Sequence, residues 1–146
     1  MNQVILICLP LENLQGFMVA LRVGMKNILI TDDEQQTMTV FHAALSASGY
    51  KVVPAPNAMT ALDLVKKTKF DLILLDEMMP DMSGNDVIQK LKEDPETKDI
   101  PIVILTNYGE GDLIKSAMEK GATDYILKYQ MTPNDLSQKI KKLLGE

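Results

Sequence analysis

An α/β fold with a doubly wound, five-stranded parallel sheet and five flanking helices is what the sequence predicts, and three features of residues 25–146 predict it. Short apolar runs recur along the chain, separated by segments whose apolar residues fall at helical spacing. The runs are continuous rather than alternating, as expected of strands covered by helices on both faces. Glycine and proline stand at the changes of period, where helices stop and strands begin.

The strand-like runs are Ile28–Ile30, Val52–Val53, Leu72–Leu75, Ile102–Leu105 and Tyr125–Leu127. Between them, Ala58, Ala61, Leu62 and Val65 share one helical face, as do Val87 and Leu91, then Leu113 and Ala117. The last segment places Leu136, Ile140, Leu143 and Leu144 on one stripe. Gly49 and Gly121 stand where helices should end, and Pro101 is expected at the first position of the fourth strand. Thr132, followed by Pro133, Asn134 and Asp135, reads as an N-cap with proline at the first helical position. Crossovers between the parallel strands should be right-handed.

Residues 1–24 have a different character, with 15 apolar residues and two charges, Glu12 and Arg22. Their apolar runs, Val4–Leu9 and Phe17–Leu21, fall short of the roughly 20 residues that a membrane span needs. No basic residue precedes the first run, so a signal peptide fits poorly. Leu11, Leu14, Met18 and Leu21 lie at helical spacing. An appendage from an upstream start codon and a docking or dimerisation segment both account for this extension. Either way it should be dispensable for the chemistry described next, since every candidate site residue lies past Met25.

Composition narrows the function classes. The net charge is −5 and Arg22 is the single arginine, which disfavours direct reading of nucleic acid. One cysteine, Cys8, allows no intramolecular disulfide and fits a reducing compartment, the cytoplasm. One histidine, His42, leaves no zinc site of the His/Cys kind and reads as a half-exposed helix residue.

Ligands of open α/β sheets bind beyond the carboxyl ends of the strands. Here those ends carry Thr31-Asp32-Asp33-Glu34, Asp76-Glu77, Thr106-Asn107 and Lys128-Tyr129. Singly, each has a bland reading: helix caps for the aspartates and the threonine, a solvated charge for the lysine. Jointly they do not, because clustered carboxylates repel unless a cation lies among them. Hard oxygen ligands suit Mg²⁺. A cation beside Asp76 would also offset the charge of an incoming phosphoryl group, with Thr106 and Lys128 placed to contact its oxygens.

Four stretches carry a resemblance to a known family. They are Ile28-Leu29-Ile30-Thr31-Asp32-Asp33-Glu34, Asp71 through Asp76-Glu77-Met78-Met79-Pro80-Asp81-Met82-Ser83-Gly84, Pro101 through Thr106, and Gly121 through Tyr125-Ile126-Leu127-Lys128. From about Lys26 to Leu144 the sequence resembles the receiver domain of bacterial two-component response regulators, with a chemotaxis-regulator-like, flavodoxin-like fold of strand order 2-1-3-4-5. The resemblance implies that Asp76 accepts a phosphoryl group from a sensor histidine kinase or histidine phosphotransfer protein. It implies Mg²⁺ held by Asp32, Asp33, Asp76 and the Met78 backbone carbonyl. Thr106 and Lys128 would contact the phosphoryl group, and Tyr125 would turn inward with Thr106. That movement would alter the face formed by helix 4, strand 5 and helix 5, where a downstream protein would bind. Met78 and Tyr108 would flank the path of attacking water and prolong the phosphorylated state.

The sequence departs from the family pattern in three places. Tyr129 stands where proline usually follows the lysine, and Asn107 where a small residue usually follows the threonine. A trans Lys128–Tyr129 bond is expected, since a non-proline cis bond costs about 2.5–4 kcal/mol. It would give Lys128 room to swing away from the site at rest. The third departure is that the sequence ends at Glu146, just past the last helix, where many family members continue into an output domain; a single-domain regulator is expected unless the chain is a fragment of a longer one. Other classes fit less well. An aspartate-nucleophile phosphatase would carry a second Asp at the place of Met78, so no turnover of outside substrates is expected. A flavin site would meet the repelling charges of Asp32 and Asp33. A module that signals without phosphorylation would usually have lost one of the acidic, threonine or lysine residues.

Overall fold

The computed structural model describes residues 25–107 and 111–146. The extension 1–24 and Tyr108 therefore lie outside the described residues. The order of elements is β1 (Asn27–Thr31), α1 (Gln35–Ala47), β2 (Lys51–Ala55), α2 (Ala58–Lys67), β3 (Leu72–Asp76), α3 (Gly84–Glu93), β4 (Ile102–Thr106), α4 (Gly111–Glu119), β5 (Asp124–Leu127) and α5 (Pro133–Leu143). All strand pairs are parallel and the sheet order is β2-β1-β3-β4-β5, as the resemblance implied.

The continuous apolar runs serve two cores at once. Successive strand residues point to opposite faces. Leu29, Ile73, Leu75, Ile102 and Ile104 pack with Ala58, Ala61, Val87, Ile88, Leu91 and Ala117 from α2, α3 and α4. Ile28, Ile30, Leu72, Leu74, Val103 and Leu105 pack with Met38, Phe41, Leu45, Leu136 and Ile140 from α1 and α5. In β1, β3 and β4, buried on both faces, the polar residues fall at the ends, with Thr31, Asp76 and Thr106 at the last positions. Polar chemistry is thereby pushed to the strand ends.

The helix boundaries follow local chemistry. Both Gly49 and Gly121 take positive φ and close α1 and α4 with paired reverse bonds. At α1 these are Gly49 N–H to Ser46 O at 3.1 Å and Tyr50 N–H to Leu45 O at 3.2 Å. Thr132 caps α5 in a reciprocal capping box with Asp135, and Pro133 takes the first turn. His42 is partly exposed, with Nδ1 3.4 Å from Ser46 Oγ.

Two boundaries differ from the sequence expectation. Pro101 lies just before β4 rather than in it, with its carbonyl accepting from Ile73 N–H at 3.0 Å. The second strand runs past Val53 through Pro54 to Ala55. It can do so because β2 is an edge strand paired only with β1, so the N–H that Pro54 lacks is not needed by a neighbour. Among the described residues, no helix is long and apolar enough to cross a membrane.

Candidate phosphoacceptor and cation site

The parallel register sets the site. Thr31 pairs with Leu75, so the next residue of each chain segment, Asp32 and Asp76, come level at the carboxyl ends of neighbouring strands. Thr106 pairs with Leu127, and Lys128 N–H donates to the Thr106 carbonyl at 2.8 Å, carrying the β4–β5 pairing one residue further. Asp32, Asp33, Asp76, Thr106 and Lys128 are thus brought to one edge of the sheet. The carboxylate oxygens of the three aspartates lie within 4.8 Å of one another.

Lys128 holds the centre of this cluster. Its Nζ lies 2.6 Å from Asp32 Oδ2, 3.1 Å from Asp76 Oδ1 and 3.8 Å from Glu34 Oε2. The Lys128 side chain is 3% exposed and that of Asp32 0%, so this is a buried ion triad. The Lys128–Tyr129 bond is trans, as expected, since no peptide bond among the described residues is cis. The accompanying expectation that Lys128 swings out is corrected. Two buried carboxylates attract its ammonium, and the bond from its own N–H to Thr106 fixes its backbone. Tyr129 takes the exposed position instead, at 70%.

Electrostatics follow from burial. Desolvation, then the charge of Asp32, pushes the Asp76 carboxyl up to about 7, against the opposing pull of Lys128. Burial works against the Lys128 ammonium, but Asp32 and Asp76 outweigh it and hold its pKa above the ordinary value. Asp32 Oδ1 accepts from Glu34 N–H at 2.9 Å. Its Oδ2 is buried and has only the ion contact with Lys128, without an aligned hydrogen bond. Asp33 is exposed at the mouth. It lines a cleft of about 370 Å³ with Asp76, Glu77, Met78, Thr106, Asn107 and Leu113. A hollow of similar volume, about 360 Å³, lies between α2 and α3 and has none of the strand-end carboxylates in its wall.

The donor set fits a hard divalent cation. It is all oxygen, and three clustered carboxylates against one ammonium leave negative charge in excess. Met78 lines the cleft and is 72% exposed. Tyr125 lies apart from the carboxylates on the β5 surface, 39% exposed, with Lys139 Nζ 5.8 Å above its ring.

Two residues named at the sequence level, Glu77 and Gly84, have roles there that were not anticipated. Glu77, adjacent to Asp76, is 4% exposed and accepts from Asn85 Nδ2 at 2.8 Å. Burial raises its pKa, with the Asn85 hydrogen bond opposing. Gly84 is required because a β-carbon there would meet the Asp76 carbonyl oxygen at 2.7 Å, which is backbone and cannot swing aside. The glycine in the Asp81-Met82-Ser83-Gly84 stretch was the available signal. Gly84→Ala is expected to displace the end of β3 and to destabilise the protein by about 1–3 kcal/mol in urea unfolding.

The sequence model of the response regulator receiver domain matches residues 28–141. This chain belongs to the response regulator receiver domain family. The receiver is 41% identical over 119 residues to the phosphate regulon transcriptional regulatory protein PhoB of Pseudomonas aeruginosa, covering 82% of this chain and 52% of that protein. It is 42% identical over 102 residues to the response regulator PleD of Caulobacter vibrioides, covering 69% of this chain and 22% of that one. The chain thus spans about half the length of the first relative and about a fifth of the second. With the polar-differentiation response regulator DivK of Brucella anthropi it shares 32% identity over 121 residues, 83% of this chain and 98% of that one. Among solved structures, a response regulator receiver domain protein of Methanospirillum hungatei aligns with a TM-score of 0.77 at 30% identity, covering 84% of this chain and 95% of that one. The chemotaxis response regulator CheY4 of Vibrio cholerae aligns at 0.76 and 26% identity, covering 82% and 98%. The receiver is therefore a component of two-component signalling.

Proposed function

We propose that this receiver is a phosphorylation-dependent switch that accepts a phosphoryl group on Asp76 from a phosphohistidine of a sensor histidine kinase or phosphotransfer protein. The observation that carries the reading is the clustering of Asp32, Asp33 and Asp76 at the strand ends, with one buried lysine paired to Asp32 and Asp76. Asp32, Asp33, Asp76 and the backbone carbonyl of Met78 would hold Mg²⁺, which supplies charge neutralisation for the transferred group. An Asp76 carboxylate oxygen forms the bond to phosphorus as the phosphorus–nitrogen bond of the donor breaks, and the donor imidazole, protonated on its other ring nitrogen, takes the electron pair and leaves neutral. Asp32 draws Lys128 into the site, and the ammonium then pairs with a phosphoryl oxygen. The Thr106 hydroxyl donates to another.

The switch would be read at α4, β5 and α5. Tyr125 stands exposed there, its carbonyl accepting from Lys139 Nζ at 3.0 Å and Asp124 pairing with the same ammonium at 3.2 Å. Inward movement of Tyr125 would free this patch for a downstream protein. With Met78 two residues past Asp76, the chain lacks the second aspartate of aspartate-nucleophile phosphatases, which supports a stoichiometric acceptor rather than an enzyme. The exposed Met78 thioether offers no hold for attacking water, which supports a long-lived phosphorylated state.

Intact mass after incubation with acetyl phosphate tests the reading. With MgCl₂ the protein should gain the mass of one phosphoryl group, mapped to Asp76, and with EDTA it should gain none. An unchanged mass in MgCl₂, or modification of Asp32, Asp33 or Asp81 instead, overturns it.

A further inference from the structure

We propose that Asp81 is a positioning residue for the cation site: it clamps the loop that follows the phosphoacceptor strand onto the first turn of α2. The inference rests on the Mg²⁺-dependent reading above. Both carboxylate oxygens are used, Oδ1 accepting from Ala58 N–H at 3.0 Å and Oδ2 from Met59 N–H at 2.9 Å. These two residues open α2, where backbone N–H groups have no partner within the helix. The helix already has a cap of its own, since Asn57 Oδ1 accepts from Thr60 N–H at 2.8 Å. A second cap arriving from 22 or 23 residues away in sequence therefore does more than start a helix.

What it does follows from the bonds on either side. The base of the 77–84 loop is closed by Gly84 N–H to the Glu77 carbonyl at 2.8 Å and by an isolated antiparallel bridge between Met78 and Ser83. Asp81 lies within that closed loop, three residues past Met78, the proposed carbonyl ligand. On the other side, the Ala55 carbonyl, three residues before α2, accepts from Asp32 N–H at 3.3 Å. A continuous path thus runs from Asp32 through Ala55 and the start of α2 to Asp81 and the Met78 loop. It references the β1 side of the cation site to the β3 side. Asp81 itself is exposed, and the two N–H donors hold its pKa below the ordinary carboxylate value, so the clamp stays charged at neutral pH.

Asp81→Ala and Asp81→Asn, titrated with MgCl₂ while the amide shifts of Asp32 and Asp33 are followed, test this. Removing the clamp should weaken Mg²⁺ binding by about tenfold, the low end of what outer-shell partners of metal ligands contribute. Asp81→Asn, whose amide oxygen preserves one of the two bonds, should fall between the alanine variant and the parent. Phosphoryl uptake from acetyl phosphate should be slowed at low MgCl₂ and restored at saturation. A lower Tm with unchanged Mg²⁺ affinity would make Asp81 a helix cap alone and overturn the inference. Should the alanine variant fail to fold, Asp81→Asn decides by the same criterion. A parent protein that binds no Mg²⁺ at these aspartates overturns the functional reading itself, and the clamp with it.

Discussion

Replacing Lys128 with alanine is expected to destabilise the protein by about 3 kcal/mol in EDTA and to abolish phosphoryl uptake. The ammonium is the shared partner of Asp32 and Asp76, whose side chains are 0% and 8% exposed. Its removal leaves two facing carboxylates with little water to solvate them. The loss falls at the lower end for a broken buried pair because Asp76, already raised to about 7, relieves the repulsion by taking up a proton. MgCl₂ should return much of the lost stability, since a divalent cation replaces the missing positive charge and binds the folded state alone. Urea unfolding in EDTA and in MgCl₂ measures both effects. A loss in EDTA below about 1 kcal/mol would mean that the triad contributes no more than a surface pair.

Asp76→Asn should act with the opposite sign on stability while also eliminating phosphoryl uptake. The folded-state carboxyl titrates near 7 against an ordinary value of 3.8, so folding favours the protonated form. Below about pH 4 the group is protonated whether the chain is folded or unfolded, and aspartate and asparagine should be nearly equivalent. Between about pH 4 and 7 the unfolded chain releases the proton that the folded chain keeps, so the parent loses stability relative to the variant, and above 7 the folded carboxyl is ionised as well. The advantage of asparagine should therefore grow between about pH 4 and 7 and level off above, at about 2 kcal/mol after allowance for solvent and the Lys128 counter-charge. Urea midpoints in EDTA across that range provide the measurement. A variant less stable than the parent at pH 8 would show that Asp76 is held by Lys128 more firmly than it is repelled by Asp32. Because the asparagine variant should be well folded, absence of phosphoryl mass in it reports loss of the nucleophile rather than loss of structure.

The order of elements, both glycine helix ends, the Thr132 cap and the four strand-end clusters were legible in residues 25–146 alone. Each depends on nearest-neighbour chemistry: a period of apolar residues, a backbone that needs positive φ, a hydroxyl facing free N–H groups. The gathering of Asp32, Asp76 and Lys128 was legible for a related reason, since in a parallel sheet every strand ends on the same edge. What Lys128 does there was not legible. Its neighbour Tyr129 suggested a side chain free to leave, whereas the balance of charge and burial in the assembled site holds it between two carboxylates. Pro54 within a strand became intelligible only once β2 was placed at the sheet edge. The burial of Glu77 against Asn85, the backbone that excludes a side chain at Gly84, and the grip of Asp81 on α2 likewise belong to the tertiary structure. In each case the partner is backbone or a side chain brought up by another element, and composition or spacing along one segment carries no record of what the fold will set opposite it.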